Sequence, residues 1–175
     1  MPPSNALRVV VTDANVLINF MHAGRLDLLG ALTAFKFVIP DYVIAEMTLP
    51  AQRRALEIAL TRGALRKQSI TDPKELASYV ELRCIMGSGE AACLAMAEAR
   101  GWLIASDEKR RFRREVIARL GEGRLVTTAG LFVIAIRAGV ISVEEADHVK
   151  EILQRHRFRM AFKSFAELLD PPKTG

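Results

Sequence analysis

Leu7-Arg8-Val9-Val10-Val11-Thr12-Asp13-Ala14-Asn15-Val16-Leu17-Ile18 is the stretch from which the fold is read. Its first six residues form a β-branched, largely apolar run, the pattern of a buried strand. Asp13 follows, and from Ala14 onward Val16, Leu17, Phe20 and Met21 recur at helical spacing. A second run of this kind, Trp102-Leu103-Ile104-Ala105-Ser106, also ends on an acid, Asp107. In a parallel α/β sheet, ligands bind outside the carboxyl ends of the strands, so acids at two such ends face a shared crevice.

The rest of the chain alternates in the same way. Lys36 to Ile39 reads as a short strand closed by Pro40, with Asp41 as N-cap of a helix Val43 to Leu49 that carries Glu46 one turn in. A helical pattern through Leu56, Ile58, Ala59 and Leu60 stops at Gly63, and Ala64 to Ile70 is an extended piece. Asp72-Pro73-Lys74-Glu75 starts a helix running to about Met86. Gly87-Ser88-Gly89-Glu90 opens the next, with Glu90 in its first turn. A helix Glu108 to Leu120 places Phe112, Val116, Ile117 and Leu120 on one stripe. Its other face holds Lys109, Arg110, Arg111, Arg113 and Arg114. Arg124 to Thr127 reads as the last parallel strand, followed by helices Ala129 to Ala138 and, after the capping box Ser142-Val143-Glu144-Glu145, one ending near Arg155.

The expected fold is therefore α/β, a central parallel β-sheet flanked by α-helices in one domain over residues 1–157, with a C-terminal tail over 158–175. Phe158, Phe162 and Phe165 favour packing of that tail. With 175 residues, half of them hydrophobic, the chain can bury an ordinary single-domain core. Its apolar runs fall short of the roughly 18 residues of a spanning helix, and no secretory signal is read, so a soluble, cytoplasmic protein is expected. Cys84 and Cys93 lack metal-ligand or CxxC spacing and read as reduced, buried packing residues. His22, His148 and His156 are scattered and suit surface or cap positions. A formal charge of +5 makes a polyanionic partner plausible.

Taken singly, Asp13 is a helix cap, Glu90 a complement to a helix dipole and Asp107 a cap of the arginine helix. Taken together, Asp13, Glu46, Glu90 and Asp107 gather negative charge at one sheet edge, which is costly unless a cation neutralises it. Oxygen-only donors suit Mg²⁺ or Mn²⁺ rather than zinc. Mg²⁺ completes its coordination with water and substrate phosphates, which leads to phosphodiester hydrolysis. The run Lys109-Arg110-Arg111-Phe112-Arg113-Arg114 beside such a site acts as a phosphate clamp, although alone it is an ordinary solvated face. With one Trp and two Tyr and no aromatic ladder, little base stacking is expected.

Val11-Thr12-Asp13-Ala14-Asn15-Val16-Leu17-Ile18, Val43-Ile44-Ala45-Glu46-Met47, Gly87-Ser88-Gly89-Glu90-Ala91-Ala92 and Ile104-Ala105-Ser106-Asp107 resemble, in order and spacing, the four acidic motifs of PIN-domain nucleases. The resemblance extends from about Arg8 to about Val149. It implies a PIN fold and a metal-dependent endoribonuclease, as in VapC-like toxins of type II toxin-antitoxin pairs. Carried over by position, Asp13, Glu46, Glu90 and Asp107 are the catalytic and metal-binding quartet. Thr12, Asn15 and Ser106 stand behind them as orienting residues. Glu108 occupies a position where some relatives carry a further acid, and on a first helical turn its side chain is expected to point away from Asp107. Ala14 departs from the Ser or Thr that many such toxins have, and extra length lies in residues 50–86 and after about 140.

The implied partners are an RNA substrate, an antitoxin protein and a second copy in a homodimer, with no membrane. The apolar excess on Val16 to Met21 and Val43 to Leu60 suits such a surface. A structure-specific DNA nuclease on the same fold, or a catalytically idle PIN-like module that binds RNA or protein, are the alternatives.

Overall fold

The computed structural model describes residues 7–169. Five parallel strands form one sheet, β1 (Arg8–Thr12), β2 (Phe35–Pro40), β3 (Arg66–Gln68), β4 (Leu103–Ala105) and β5 (Leu125–Val126), in the order β3-β2-β1-β4-β5. The β-branched run of β1 is central because Val10 and Val11 are wholly buried there. Val11 lies in register with Val38 on one side and Ile104 on the other. Chain progression reverses direction between β1 and β4, which makes their carboxyl ends the crevice at which α/β sheets take ligands.

The helices are α1 (Ala14–His22), α2 (Asp27–Ala31), α3 (Asp41–Glu46), α4 (Pro50–Thr61), α5 (Pro73–Leu82), α6 (Ser88–Arg100), α7 (Arg111–Leu120), α8 (Thr128–Arg137), α9 (Val143–Arg155) and α10 (Ala166–Leu169). Ala91 to Ala97 of α6 is buried without a break, and its alanines let the helix lie close over β1, β2 and β4. A helix apolar all round belongs in a core rather than at a surface. α1 packs against α3, α4, α8 and α9 through Val16, Leu17 and Phe20. Among the described residues, no helix is long and apolar enough to cross a membrane.

Several expected boundaries are corrected. Asp41 is the first residue of α3, whose N-cap is Pro40. Asp72 does cap α5, accepting from the Lys74 N–H at 2.7 Å, but that helix stops at Leu82 instead of Met86. The extended piece after Gly63 becomes the three-residue edge strand β3. The arginine helix begins at Arg111 and not at Glu108, because Arg110 has a left-handed φ of 62°, incompatible with a helix through it. Cys84 is exposed, which overturns the buried reading for it, whereas Cys93 is buried. His22 and His156, distant in sequence, stack with ring centroids 3.9 Å apart.

Residues beyond α9 return to the body of the domain. Asp147 on α9 accepts from the Phe165 N–H at 2.8 Å and from the Ser164 hydroxyl at 2.6 Å. Phe165 is fully buried, with Phe132 at 5.9 Å and Phe162 at 4.9 Å between ring centroids. Removing a buried aromatic ring costs about 3–5 kcal/mol. Phe165→Ala is therefore expected to lower unfolding free energy by about that amount, read from urea denaturation against wild type.

Candidate active site

β1 and β4 end side by side, and the Asp13 N–H donates to the Ala105 carbonyl at 3.0 Å, extending the ladder to the acid itself. Asp13 is only 4% exposed. As N-cap of α1 it accepts from the Ala14 N–H at 2.8 Å, while its other oxygen accepts from Ser106 Oγ at 3.0 Å and Asn15 Nδ2 at 3.1 Å. Ser106 thus touches Asp13 directly. Asn15 reaches further, with its amide nitrogen 3.4 Å from Ser106 Oγ and 3.3 Å from Glu108 Oε1. Its Oδ1 accepts from the Asp107 N–H at 3.1 Å. Thr12 behaves differently from Asn15 and Ser106, since its buried hydroxyl has no hydrogen-bond partner among the described residues.

Glu46, at the end of α3, accepts from the Gly89 N–H at 2.8 Å and the Ser88 hydroxyl at 3.1 Å. A Cβ on Gly89 would stand 2.8 Å from both Glu46 carboxylate oxygens, so any side chain there displaces the Glu46 carboxylate. Glu90, on the same first turn, accepts from the Gly87 N–H at 3.1 Å. The N-terminal turn of α6 therefore receives two carboxylates, where free N–H groups and the helix dipole favour negative charge.

Asp107 is held on a different set of partners. One oxygen accepts from the Thr128 N–H at 2.8 Å, and the other accepts from Asn19 Nδ2 at 3.0 Å and from the Thr128 hydroxyl. It therefore anchors the start of α8, not the arginine helix. Glu108 shares the Asn15 side-chain nitrogen with Asp13 and so faces the same end of the sheet. The irregular backbone of residues 107–110 permits this. Asn19, Thr128, Ser88 and Gly89 are site residues that sequence reasoning missed. For Asn19 a signal existed: a buried amide inside an otherwise apolar helix, one turn after Asn15.

Lys109, Arg110, Arg111, Arg113 and Arg114 are all exposed, and of these Lys109 and Arg113 share a recess with Asp107 and Glu108 while Arg111 acts on Glu90. Arg111 is fixed by donating to the Ile85 carbonyl at 2.7 Å.

The electrostatics bind three of the acids into one neighbourhood. Asp13 is raised from the ordinary 3.8 to about 6, chiefly by burial, against the pull of its Ala14 and Ser106 hydrogen bonds and with the charges of Glu90 and Glu46 adding to the rise. Glu90 is raised by burial first, with a contribution from Glu108 and Glu46 and an opposing one from Arg111. Beneath them the Cys93 thiol is pushed well above its ordinary value by burial and by Asp13, Glu46 and Glu90.

Among the described residues, no three Asp, Glu, His or Cys side chains close into a ready cage for an ion. The donor set is nevertheless oxygen only, and no hydrogen bond among the described residues occupies Glu46 Oε2 or Glu90 Oε1. That is an open, oxygen-lined arrangement of the kind Mg²⁺ accepts with water in its remaining positions, and it does not suit a closed zinc site. For stability the sign follows from the raised Asp13 value. The folded state prefers the protonated acid, so this contribution is complete below about pH 4 and lost as pH rises through about 6. Between pH 4 and pH 7 in EDTA, wild type is expected to lose up to about 3 kcal/mol of stability that Asp13→Asn, which does not titrate there, keeps, read from urea denaturation at both pH values.

The chain can be set beside known proteins. No curated protein matches it in sequence. Among solved structures, it is similar to VapBC2 from Rickettsia felis bound to a DNA fragment from their promoter. That match has a TM-score of 0.53 and 18% identity and covers 68% of this chain and 98% of the other, a likeness of fold. The family model DUF3368, described as a PIN domain, matches residues 9–172. With a parallel α/β sheet whose first and fourth strands end on acids, the chain belongs to this PIN-domain family.

Proposed function

We propose that the chain is a divalent-metal-dependent endoribonuclease acting as the toxin of a toxin-antitoxin pair in a prokaryotic cytoplasm. The observation that carries this reading is the placement of Asp13 at the end of β1 and of Glu46 and Glu90 at the first turn of α6, which packs over β1, with an exposed arginine run following Asp107. Asp13, Glu46, Glu90 and Asp107 are the proposed metal-binding and catalytic acids, with Glu108 a fifth acid drawn in through Asn15. Bound Mg²⁺ or Mn²⁺ would supply an activated water and stabilise the leaving oxygen at the scissile phosphate.

The protein's own groups do the rest. Asn15 and Ser106 fix the Asp13 carboxylate, and the α6 N-terminal turn fixes Glu46 and Glu90. At neutral pH Asp13 is mostly ionised, so it can receive a cation without first shedding a proton. Arginines of α7 neutralise flanking phosphates that the acids would otherwise repel.

The fold likeness to VapBC2 supports a protein partner that holds the nuclease in check. Leu49, the N-cap of α4, and Ile58 within that helix are about half exposed, and Ile58 borders a recess with Met21 and Leu26. An amphipathic antitoxin helix, or the second copy of a homodimer, suits that apolar surface.

The test is cleavage of a mixed-structure RNA panel by wild type and Asp13→Asn with Mg²⁺, Mn²⁺ or EDTA. Metal-dependent cutting lost in the variant is expected. Full activity in Asp13→Asn would sink the assignment, and preferred cutting of branched DNA would select a DNA nuclease. Gly89→Ala, which forces Glu46 off its N–H, is expected to cut activity about 10- to 100-fold with the fold intact by circular dichroism.

A further inference from the structure

Phe158, Met160 and Phe162 line a recess of about 200 Å³ together with Lys109, Arg113 and Arg159. Asp107 and Glu108 form part of the same wall, so the recess borders the acid edge on its Asp107 side. Leu125 and Thr127 close it from the end of β5, which places it at the carboxyl side of the sheet, where α/β ligands lie. Although aromatic residues are scarce in the whole chain, these are concentrated beside the acids.

The aromatic wall is built rather than incidental. Arg157 takes a left-handed φ of 66°, ending α9, and the Phe158 N–H then donates back to the Leu153 carbonyl at 2.9 Å. At the other end, Asp147 holds Ser164 and Phe165, so residues 158–165 are pinned to α9 at both ends. Phe162 is set edge-on against buried Phe165, and Lys150 stands 5.9 Å over its ring. Phe158 and Phe162 remain only partly buried, so each keeps surface available to a ligand.

We propose that this recess is a nucleobase subsite, taking one unpaired base of single-stranded RNA next to the scissile phosphate. It rests on the ribonuclease reading and deepens it by naming where the substrate is gripped. A base needs an aromatic or apolar face and its phosphates need cations, and the recess supplies both within one wall. Its size is below that of pockets for drug-sized ligands, which fits one flat ring rather than a larger group. Stacking tolerates any base, so the subsite selects for strand accessibility more than for sequence.

The test uses anisotropy, in EDTA, of a labelled single-stranded RNA decamer, an otherwise identical abasic decamer and a matching DNA decamer. Mg²⁺-supported cleavage of the RNA is followed in parallel. Wild type is expected to prefer the base-bearing RNA over the abasic one on the order of tenfold. The Phe158→Leu/Phe162→Leu double variant, which keeps apolar bulk, is expected to lose that preference. Arg113→Gln is expected to weaken all the oligonucleotides alike and lower the salt dependence. If the double variant folds and keeps the wild-type preference while wild type cuts RNA, the subsite is overturned and the nuclease reading stands. If wild type neither binds nor cuts RNA, both fall, and tighter binding of the DNA decamer overturns RNA as the occupant. Where the double variant fails to fold, photo-crosslinking of 4-thiouridine RNA to wild type decides. Label in the 158–162 peptide supports the subsite, and label only elsewhere overturns it.

Discussion

One side-chain amide holds the acid edge together. Asn15 lies within reach of Asp13, Ser106 and Glu108 through its nitrogen and accepts the Asp107 N–H through its oxygen. No acid in that position could serve, because the nitrogen must donate to carboxylates while the oxygen receives a backbone proton. Two strands that are adjacent in the sheet but about ninety residues apart in sequence are therefore tied at their ends by Asn15, together with the Ser106 hydroxyl on Asp13 and the Asp13 N–H on the Ala105 carbonyl. Burial raises Asp13 most, with Glu90 and Glu46 adding to it, and the donors of this clamp are what offset the cost of a buried carboxylate there.

The legible part of the fold was whatever a local pattern could encode. The β-branched run before Asp13 and the apolar spacing after it fix a strand, a turn and a helix without reference to anything remote. The capping boxes at Ser142 and the Asp72 cap were readable for the same reason. Where the pattern failed, a distant partner or an unusual torsion had intervened. Arg110 adopts a left-handed conformation that nothing about arginine announces, and this delays α7 and frees Glu108 to turn inward. Asn19 and Thr128, which hold Asp107, lie more than a hundred residues apart. Position in sequence located the acids, while their individual environments came from contacts across the chain.

Those environments separate acids that look equivalent in sequence. Asp13 is buried and shared among donors from two strands, Glu46 and Glu90 rest on a helix N-terminus, and Asp107 is saturated by Thr128 and Asn19. Each oxygen of Asp13 and Asp107 already accepts at least one hydrogen bond, which fixes its direction, whereas Glu46 and Glu90 each keep an oxygen free of hydrogen bonds among the described residues. The arrangement is thus graded, from rigid support at Asp107 to open acceptors at α6.

The sheet itself bears on how this molecule meets others. Both outer strands are stubs, three residues in β3 and two in β5, and β3 carries Arg66 and Lys67. A longer, uncharged border would invite strand-by-strand extension into fibrils or swapped assemblies, and two short ones, one of them charged, discourage it. Recognition of this protein by another chain is consequently left to its helices and loops, which demand a shaped, complementary surface, and not to the backbone pairing that any extended peptide can offer.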